Sequence, residues 1–171
     1  MSDARIQIVD EDDKPIRGAI KSEAQEKGLW HRIVKIVLRD QAGNVLLQRR
    51  GEAVLSPGKW DFSASGHVDE GEDYLDAALR ELAEEIGVTG VSLRKIDYIK
   101  YDKTDEDGRI FRRFAVTYVG QIGHDYAFKL ETKEVAEIRW FTLDEVETLV
   151  CTSPNAVTSG LRQIVESGLL K

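Results

Sequence analysis

The stretch "GHVDEGEDYLDAALRELAEEIGV", residues 66–88, combines a helical pattern with a concentration of carboxylates near its end. At ~100° of rotation per residue, Glu84 projects about 60° to one side of Glu81 and Glu85 about 40° to the other. A second, apolar stripe lies roughly 130° away. It is formed by Leu75, Leu79, Leu82 and Ile86. The pattern predicts a helix with one face for a core and another that concentrates negative charge.

The ends of this helix are also encoded locally. Asp73 is a good N-cap residue with Asp76 three positions later, and Gly87 suits the left-handed conformation that ends many helices. Glu81 and Glu85 are like charges at i,i+4, which opposes helix formation by a few tenths of a kcal/mol. An acidic helix face is usually a solvated surface, so the stripe indicates a functional site only together with its surroundings.

Length and composition limit the class of protein. The 171 residues suit one domain, which we expect to span residues 1–171 with residues 1–30 as an N-terminal extension packed on it. The formal net charge of −7, from 24 basic and 31 acidic residues, argues against an extended nucleic-acid footprint or a membrane surface. Cys151 is the only cysteine, and no segment resembles a signal peptide or approaches the ~20 apolar residues of a membrane span. These features predict a cytoplasmic protein.

The remaining chain alternates strand and helix patterns. A hairpin is predicted at the N-terminus, with its turn at residues 11–14, followed by a short helix or a helical turn over 22–28 with Ser22 as cap. Further strands are predicted at 32–39, 45–49, 93–101, 110–119 and 134–141, with the third and fourth joined by the polar turn 103–109. Further helices are predicted over 142–150, capped by Thr142, and over 153–170. Without strict βαβ alternation, this order favours an α/β fold with a mixed sheet and helices on its faces.

The quoted stretch resembles the signature of the Nudix family. Gly66, Glu72 and the run Arg80-Glu81-Leu82-Ala83-Glu84-Glu85-Ile86-Gly87-Val88 match the Nudix box at every defined position, including seven fixed identities at fixed spacing. "VLLQRR" before the box and "EIRWFTLDEV" after it look like typical flanking elements of that family. The resemblance implies a Nudix-type α/β/α sandwich and a hydrolase that cleaves a diphosphate linkage.

The chemistry of such a reaction agrees with the residues in the box. A diphosphate repels an attacking water or hydroxide, and divalent cations relieve this by neutralising phosphate oxygens and acidifying the water. Mg²⁺ prefers oxygen ligands, commonly one or two carboxylates with substrate phosphates and waters. The resemblance implies Mg²⁺ or Mn²⁺ as cofactor, held by Glu81, Glu84, Glu85 and the backbone carbonyl of Gly66.

Two further residues of the box are expected to support these ligands. Arg80 is four residues from both Glu84 and Asp76, so its guanidinium can orient a metal ligand by bridging to either. Glu72 lies eight residues before Arg80, roughly 12 Å along a helix. An ion pair between Glu72 and Arg80 therefore requires the intervening loop to fold back, and the sequence leaves this open.

The general base is a choice among several carboxylates. Glu84 is one candidate, and the resemblance implies others before Trp140, where many Nudix members place an additional carboxylate. These are Glu131, Glu134 and Glu137, of which we favour Glu134 as a catalytic residue together with Glu84. The alternative is that this segment is an exposed acidic loop.

Substrate contacts are predicted from charged and aromatic residues near the box. Arg49 and Arg50 end a strand that leads into the site, and they suit phosphate binding, although arginines also commonly close surface strands. Trp60 and Tyr101 are candidates for stacking on a base, with a core position as the alternative for Trp60. Cys151 is expected to be inert.

The main competing function is that of isopentenyl diphosphate isomerase, which has the same fold. The run from His31 to Arg50 and the later "SGH" at residues 65–67 resemble that enzyme. Its cysteine corresponds to Ser65 here, and a further metal-binding histidine would fall on Ala24. These departures and the intact box favour hydrolysis, which leaves His31 as a structural residue at a strand start. A nucleotide-binding sensor without catalysis is a third hypothesis.

The function predicted from the sequence is therefore metal-dependent hydrolysis of a nucleoside diphosphate linked to another moiety. The partner is a small nucleotide-type molecule, and the identity of the linked moiety is left open. Homodimer formation is also left open, as is the role of residues 1–30 as a sheet edge, a dimer contact or a part of the substrate lid.

Overall fold

The computed structural model describes residues 5–104, 108 and 110–171. Within these residues nine strands form one mixed sheet. They are β1 (Arg5–Val9), β2 (Pro15–Ile20), β3 (His31–Arg39), β4 (Val45–Arg50), β5 (Trp60–Asp61), β6 (Ala64–His67), β7 (Leu93–Thr104), β8 (Ile110–Gln121) and β9 (Val135–Phe141). The helices are α1 (Lys21–Glu26), α2 (Tyr74–Ile86), α3 (Leu143–Thr152) and α4 (Ser159–Glu166), with a 3₁₀ turn at Pro154–Ala156.

The sheet is organised around β3, which is rich in β-branched residues and pairs along most of its length. It runs parallel to β8 from His31 opposite Arg113 to Arg39 opposite Gln121. On its other edge it pairs antiparallel with β1 at Ile8, with β6 from Ile33 to Ile36, and with β4 at its end. The change of partner along this edge separates β6 from β4 and opens a seam in the sheet.

Alternating side chains of β3 feed two cores. Val34, Ile36 and Leu38 face α2, whose Leu82 and Ile86 are completely buried. On the other face, Val37 packs with Phe62 and with apolar side chains of α3 and α4, including Val146, Val150, Leu161 and Ile164. Two helical layers around a mixed sheet confirm the predicted α/β/α sandwich.

The N-terminal segment adds an edge to the sheet. β1 and β2 form the predicted hairpin, and Gln7 N donates to the carbonyl of Val68 at 2.8 Å. The short helix α1 begins one residue earlier than predicted, and the prediction of Ser22 as its cap is wrong. Ile20 occupies the cap position and makes no capping side-chain hydrogen bond, because β2 runs directly into the helix.

Other element boundaries also differ from the predictions. The predicted helix over 153–170 is divided, since Pro154 opens a 3₁₀ turn and Thr158 then caps α4 by accepting from Leu161 N at 3.3 Å. β7 and β8 extend beyond their predicted ends, to Thr104 and Gln121. Residues 105–107 and 109 of the predicted turn lie outside the described residues. None of the helices in the described part of the chain is long and apolar enough to cross a membrane.

Candidate functional site

Helix α2 is held by the caps expected from the sequence. The Asp73 carboxylate accepts from Leu75 N at 2.8 Å and from Asp76 N at 2.9 Å. Gly87 ends the helix with a φ of 72°, which a glycine adopts without strain. The helix packs on β6 and β3, which brings its last two turns to the seam between β6 and β4.

Two of the three carboxylates in the predicted acidic stripe of α2 are buried, and only Glu84 is exposed. Glu81 is only 9% exposed and Glu85 only 5%, whereas Leu75 of the predicted core stripe is 41% exposed. Helix α2 packs on β6, so Glu81 and Glu85 lie against that strand. Gly66 makes this approach possible, since a Cβ atom at that position would overlap the Glu81 carboxylate.

Glu85 is a buried carboxylate with neutral donors. Its Oε2 accepts from Gln48 Nε2 at 2.8 Å and from Ser65 N at 3.3 Å. Burial raises the pKa of Glu85 to about 8, and the nearby negative charge of Glu81 adds to the shift. Burial also raises the pKa of Glu81 to about 7, against the opposing effect of the Arg80 guanidinium. Ionisation of both carboxyl groups is therefore disfavoured in the metal-free protein, and a cation in the seam would favour their charged forms.

Arg80 joins the loop before α2 to the carboxylates at its end. Its Nε and Nη2 donate to the two oxygens of Glu72 at 3.0 and 2.9 Å. Its Nη1 donates to Glu81 at 2.8 Å and to Glu84 at 3.1 Å, and its Nη2 also donates to the carbonyl of His67 at 2.8 Å. The loop does fold back, and Arg80 fixes the orientation of Glu81.

Arg80 and the three carboxylates Glu81, Glu84 and Glu85 line one cleft of about 1290 Å³. Its acidic wall contains Glu81, Glu84, Glu85, Glu131 and Glu134. Within residues 5–104, 108 and 110–171, no three acidic, histidine or cysteine side chains form a ready-made metal cage, since Arg80 and Gln48 engage the carboxylates. The donor set nevertheless fits Mg²⁺ or Mn²⁺: hard oxygen ligands, raised pKa values, and a glycine whose lack of a side chain leaves room beside Glu81.

The structure brings only some of the predicted substrate-binding residues to the cleft. Arg50 lines it, but its Nη1 donates to Asp61 at 2.6 Å. Arg49 lies outside the cleft, with its Nη1 at 3.6 Å from Glu137, which is also outside. Trp60 packs edge-on against Phe141 in a core cluster, whereas Tyr101 lines the cleft.

The two histidines that resemble the isomerase lie together, and His67 lines the cleft. The rings of His31 and His67 stack with centroids 5.4 Å apart, and His31 Nδ1 is 2.8 Å from the carbonyl of Leu29. Burial lowers the pKa of His31 to about 4 and lowers that of His67 well below its usual value, so both are neutral at pH 7. Ala24, in place of the further histidine, is completely buried among Ile6, Ile8 and Ala19.

Several cations of the cleft were not predicted from the sequence, and two of them lie in the middle of the sheet. Lys35 lies within the apolar strand β3 and Arg113 within β8, and both line the cleft. The signal for Lys35 is a lysine in the middle of "RIVKIVLRD", where its neighbours are predicted to be buried. Arg113 carries no comparable signal, because "FRRF" is equally typical of an exposed strand end.

Comparison with known proteins identifies the family to which this chain belongs. Residues 29–164 match the family model of the NUDIX domain, and the chain belongs to the Nudix family. It is similar to isopentenyl-diphosphate Delta-isomerase 2 of Photorhabdus laumondii, with 30% identity over 92% of this chain and 88% of the relative. An uncharacterised Nudix hydrolase of Pseudomonas aeruginosa is 34% identical over 86% of this chain and 87% of its own length.

The fold is also found among solved structures. A crystal structure from Deinococcus radiodurans superposes with a TM-score of 0.77, over 95% of this chain and 98% of that one. With 22% sequence identity, this likeness concerns the fold alone. Membership of the Nudix family supports hydrolysis of diphosphate bonds as the general activity.

Proposed function

We propose that this chain is a metal-dependent diphosphatase that cleaves a nucleoside diphosphate linked to another moiety. The observation that carries the proposal is the pair of buried carboxylates, Glu81 and Glu85, at the seam beside Gly66. Burying carboxylates without full compensation destabilises a fold, so their retention in an open cleft supports a role in binding a cation.

In this proposal the box residues hold the metal. Glu81, Glu84, Glu85 and the carbonyl of Gly66 provide oxygen ligands for Mg²⁺ or Mn²⁺. When bound, the metal neutralises phosphate oxygens and lowers the pKa of water. Arg80 positions Glu81 and Glu84 through its hydrogen bonds to both, and Glu72 anchors Arg80.

Glu134 is the proposed general base, with Glu84 as the alternative. Glu134 is exposed and lines the same cleft as the ligands. Its loop is tied to α2, because Glu131 N donates to the carbonyl of Glu85 at 2.9 Å and Glu134 N donates to that of Glu131 at 3.0 Å. A carboxylate at this place accepts a proton from water as it attacks phosphorus.

A substrate panel tests the proposed function. Dinucleotides, nucleotide sugars and nucleoside di- and triphosphates are incubated with the protein and Mg²⁺, and product release is measured by chromatography. We expect turnover of at least one linked nucleoside diphosphate, loss of activity in excess chelator, and recovery with Mg²⁺. Glu85→Gln should lose most activity, whereas the matched control Glu147→Gln, on α3 and outside the cleft, should retain it. Full activity in chelator would exclude the metal mechanism.

Isomerisation of isopentenyl diphosphate is the second candidate, because a relative that is 30% identical carries the name of that enzyme. Two residues argue against it here. Ser65 carries a hydroxyl where the isomerase has a cysteine, and a hydroxyl is much harder to ionise than a thiol of pKa ~8.5. Ala24 provides no metal ligand. Dimethylallyl diphosphate formed above the no-enzyme control would reverse this ranking.

A nucleotide-binding sensor is distinguished by the same panel. A sensor would bind a nucleotide in the presence of Mg²⁺ without releasing product. Every defined position of the box is retained, which favours catalysis over binding alone.

A further inference from the structure

A second wall of the cleft carries positive charge that the box does not explain. We call Lys21, Lys35 and Arg113 the cationic wall; they lie on α1, β3 and β8 and all line the cleft. Among the described residues, none of the three forms a salt bridge within 4.0 Å. In a protein with net charge −7, acidic partners are abundant, so this lack of pairing is informative.

Arg113 is placed by the register of three strands. It is the direct partner of His31 on β3 and of Tyr101 on β7, so these side chains point to the same face of the sheet. The Arg113 guanidinium makes no hydrogen bond to any described residue, and its Nε is buried without a partner. Its Cζ lies 4.6 Å from the centroid of the Phe111 ring, which leaves the edges of the guanidinium free to donate.

Lys35 is held next to Arg113 by Tyr101. Lys35 is 9% exposed, and its Nζ donates to the Tyr101 hydroxyl at 2.9 Å. That hydroxyl in turn donates to Gln163 Oε1 at 2.9 Å. Burial lowers the pKa of Lys35 to about 8 and that of Arg113 to about 10, so both remain charged at pH 7.

Lys21 and His67 provide the remaining nitrogen donors of this part of the cleft. Lys21 is exposed at the start of α1, which packs against β8 and places the lysine at the rim. His67 lies beside His31, and its Nε2 is buried without a partner. Unpaired buried cations and unsatisfied nitrogens destabilise a fold unless a ligand satisfies them, and the oxygens of an anion accept hydrogen bonds from such groups.

We propose that the cationic wall binds a phosphate-class anionic group of the substrate, separate from the diphosphate that is cleaved at the acidic wall. The inference rests on the proposed function, because it assigns a second phosphate to the substrate of that site. The substrate is then a diphosphate that also carries a phosphomonoester. The three residues of the cationic wall lie outside the Nudix box, and they differ from the predicted substrate-binding residues Arg49 and Arg50.

The first experiment measures binding of inorganic phosphate by calorimetry, in chelator and at constant ionic strength. Chelator removes metal-dependent binding at the acidic wall, so the result does not depend on hydrolysis. We expect saturable binding by the original protein and a loss of about tenfold or more in affinity for Arg113→Gln, because charged hydrogen bonds are lost. Arg112→Gln is the matched control: Arg112 is adjacent on β8, pairs with Asp102 at 3.1 Å and does not line the cleft.

The outcomes of this experiment are decisive in both directions. Absence of saturable phosphate binding, or an equal loss in Arg112→Gln, overturns the proposal. Arg113→Gln should melt at the same or a higher temperature than the original protein, because an unpaired cation is removed. If that variant does not fold, Lys21→Gln at the exposed rim replaces it and should also weaken phosphate binding.

The second experiment compares substrates in pairs that differ by one phosphomonoester, such as NAD⁺ with NADP⁺ and dephospho-coenzyme A with coenzyme A. In Mg²⁺ we expect the original protein to prefer a phosphorylated member. Arg113→Gln should remove this preference by raising KM with kcat unchanged. An equal effect on both members would mean that Arg113 holds the cleaved diphosphate, and would overturn the proposal. Failure to hydrolyse any compound would contradict the proposed function, while phosphate binding in chelator would still stand.

Discussion

At the scale of single residues, the acidic wall is built from carboxylates whose charge the fold does not fully compensate. Glu85 receives its hydrogen bonds from an amide and a backbone N–H, Gln48 and Ser65, rather than from a cation. Glu81 shares Arg80 with Glu72 and Glu84. The energetic consequence is a metal-free protein that is less stable when these carboxyl groups ionise.

This consequence gives a prediction for Glu85→Gln. Since burial raises the folded pKa of Glu85 to about 8 from its ordinary 4.5, the folded state holds a proton that the unfolded state releases over this range, and stability falls as pH rises from 4.5 to 8. Glutamine has the same shape and never ionises. In chelator, Glu85→Gln should therefore melt above the original protein at pH 8, with a difference that shrinks towards pH 5.

Thermal melts at pH 5, 6.5 and 8 measure this difference, and Glu147→Gln is the control for loss of one acidic charge. Glu147 suits this purpose because its side chain is partly exposed on α3 and lies outside the cleft. A Glu85→Gln variant that melts below the original protein at every pH would show that the carboxylate has a structural partner, and the account of the acidic wall would be wrong.

At the scale of elements, α2 is the part of the site that local sequence encodes best. Its cap at Asp73, its end at Gly87 and its apolar contacts through Leu82 and Ile86 were all predicted and are all observed. The predicted apolar stripe was wrong at Leu75, which is exposed. Rotation per residue orders side chains around a helix, but only packing on β6 determines that Glu81 and Glu85 are buried and Leu75 exposed.

The predicted start of α1 was wrong because tertiary packing again decided the outcome. Ser22 has the chemistry of a helix cap, yet β2 pairs with β1 up to Ile20 and continues into α1 without a turn. Tertiary strand pairing therefore overrides the local preference. The C-terminal segment shows the opposite case, since Pro154 and Thr158 contain the signals for a 3₁₀ turn and a new helix.

Removal of the α2 cap should lower the stability of the protein without changing its catalytic activity. Asp73→Ala leaves Leu75 N and Asp76 N without their acceptor, which costs about 1 kcal/mol and lowers the melting temperature by roughly 2–4 °C for a chain of this size. Asp73 does not line the cleft. Turnover per folded molecule in Mg²⁺ should therefore be unchanged, as measured by kcat on the best substrate of the panel.

A loss of kcat in Asp73→Ala well below its melting temperature would mean that α2 shifts when its cap is removed. Thr142→Ala is the matched control, because Thr142 caps α3 in a capping box with Glu145 and lies far from the acidic residues of α2 in sequence. Both variants should lose similar stability, and neither should lose activity.

At the scale of the whole molecule, the cleft exists because of long-range pairing. β3 is parallel to β8, some eighty positions later in the chain, and its other edge is shared by β1, β6 and β4. The sequence predicted a mixed sheet but not this order, because register between distant strands leaves no local pattern. This is also why the Nudix box indicated Glu81, Glu84 and Glu85, while Lys35 and Arg113 were found only from the structure.

Binding of metal should couple the site to the stability of the whole chain. A ligand that binds only the folded state stabilises it by RT ln(1 + [L]/Kd), about 2.7 kcal/mol at a hundredfold excess over Kd, or roughly 5–10 °C in melting temperature. Addition of Mg²⁺ to chelator-treated protein should raise the melting temperature by an amount of this order. The gain should be much smaller in Glu85→Gln, which lacks one proposed ligand, and unchanged in Glu147→Gln. KCl at matched ionic strength separates metal binding from general screening of the acidic residues. Equal gains in the original protein and in Glu85→Gln would place the metal elsewhere, because removal of a ligand must weaken binding at a site that uses it.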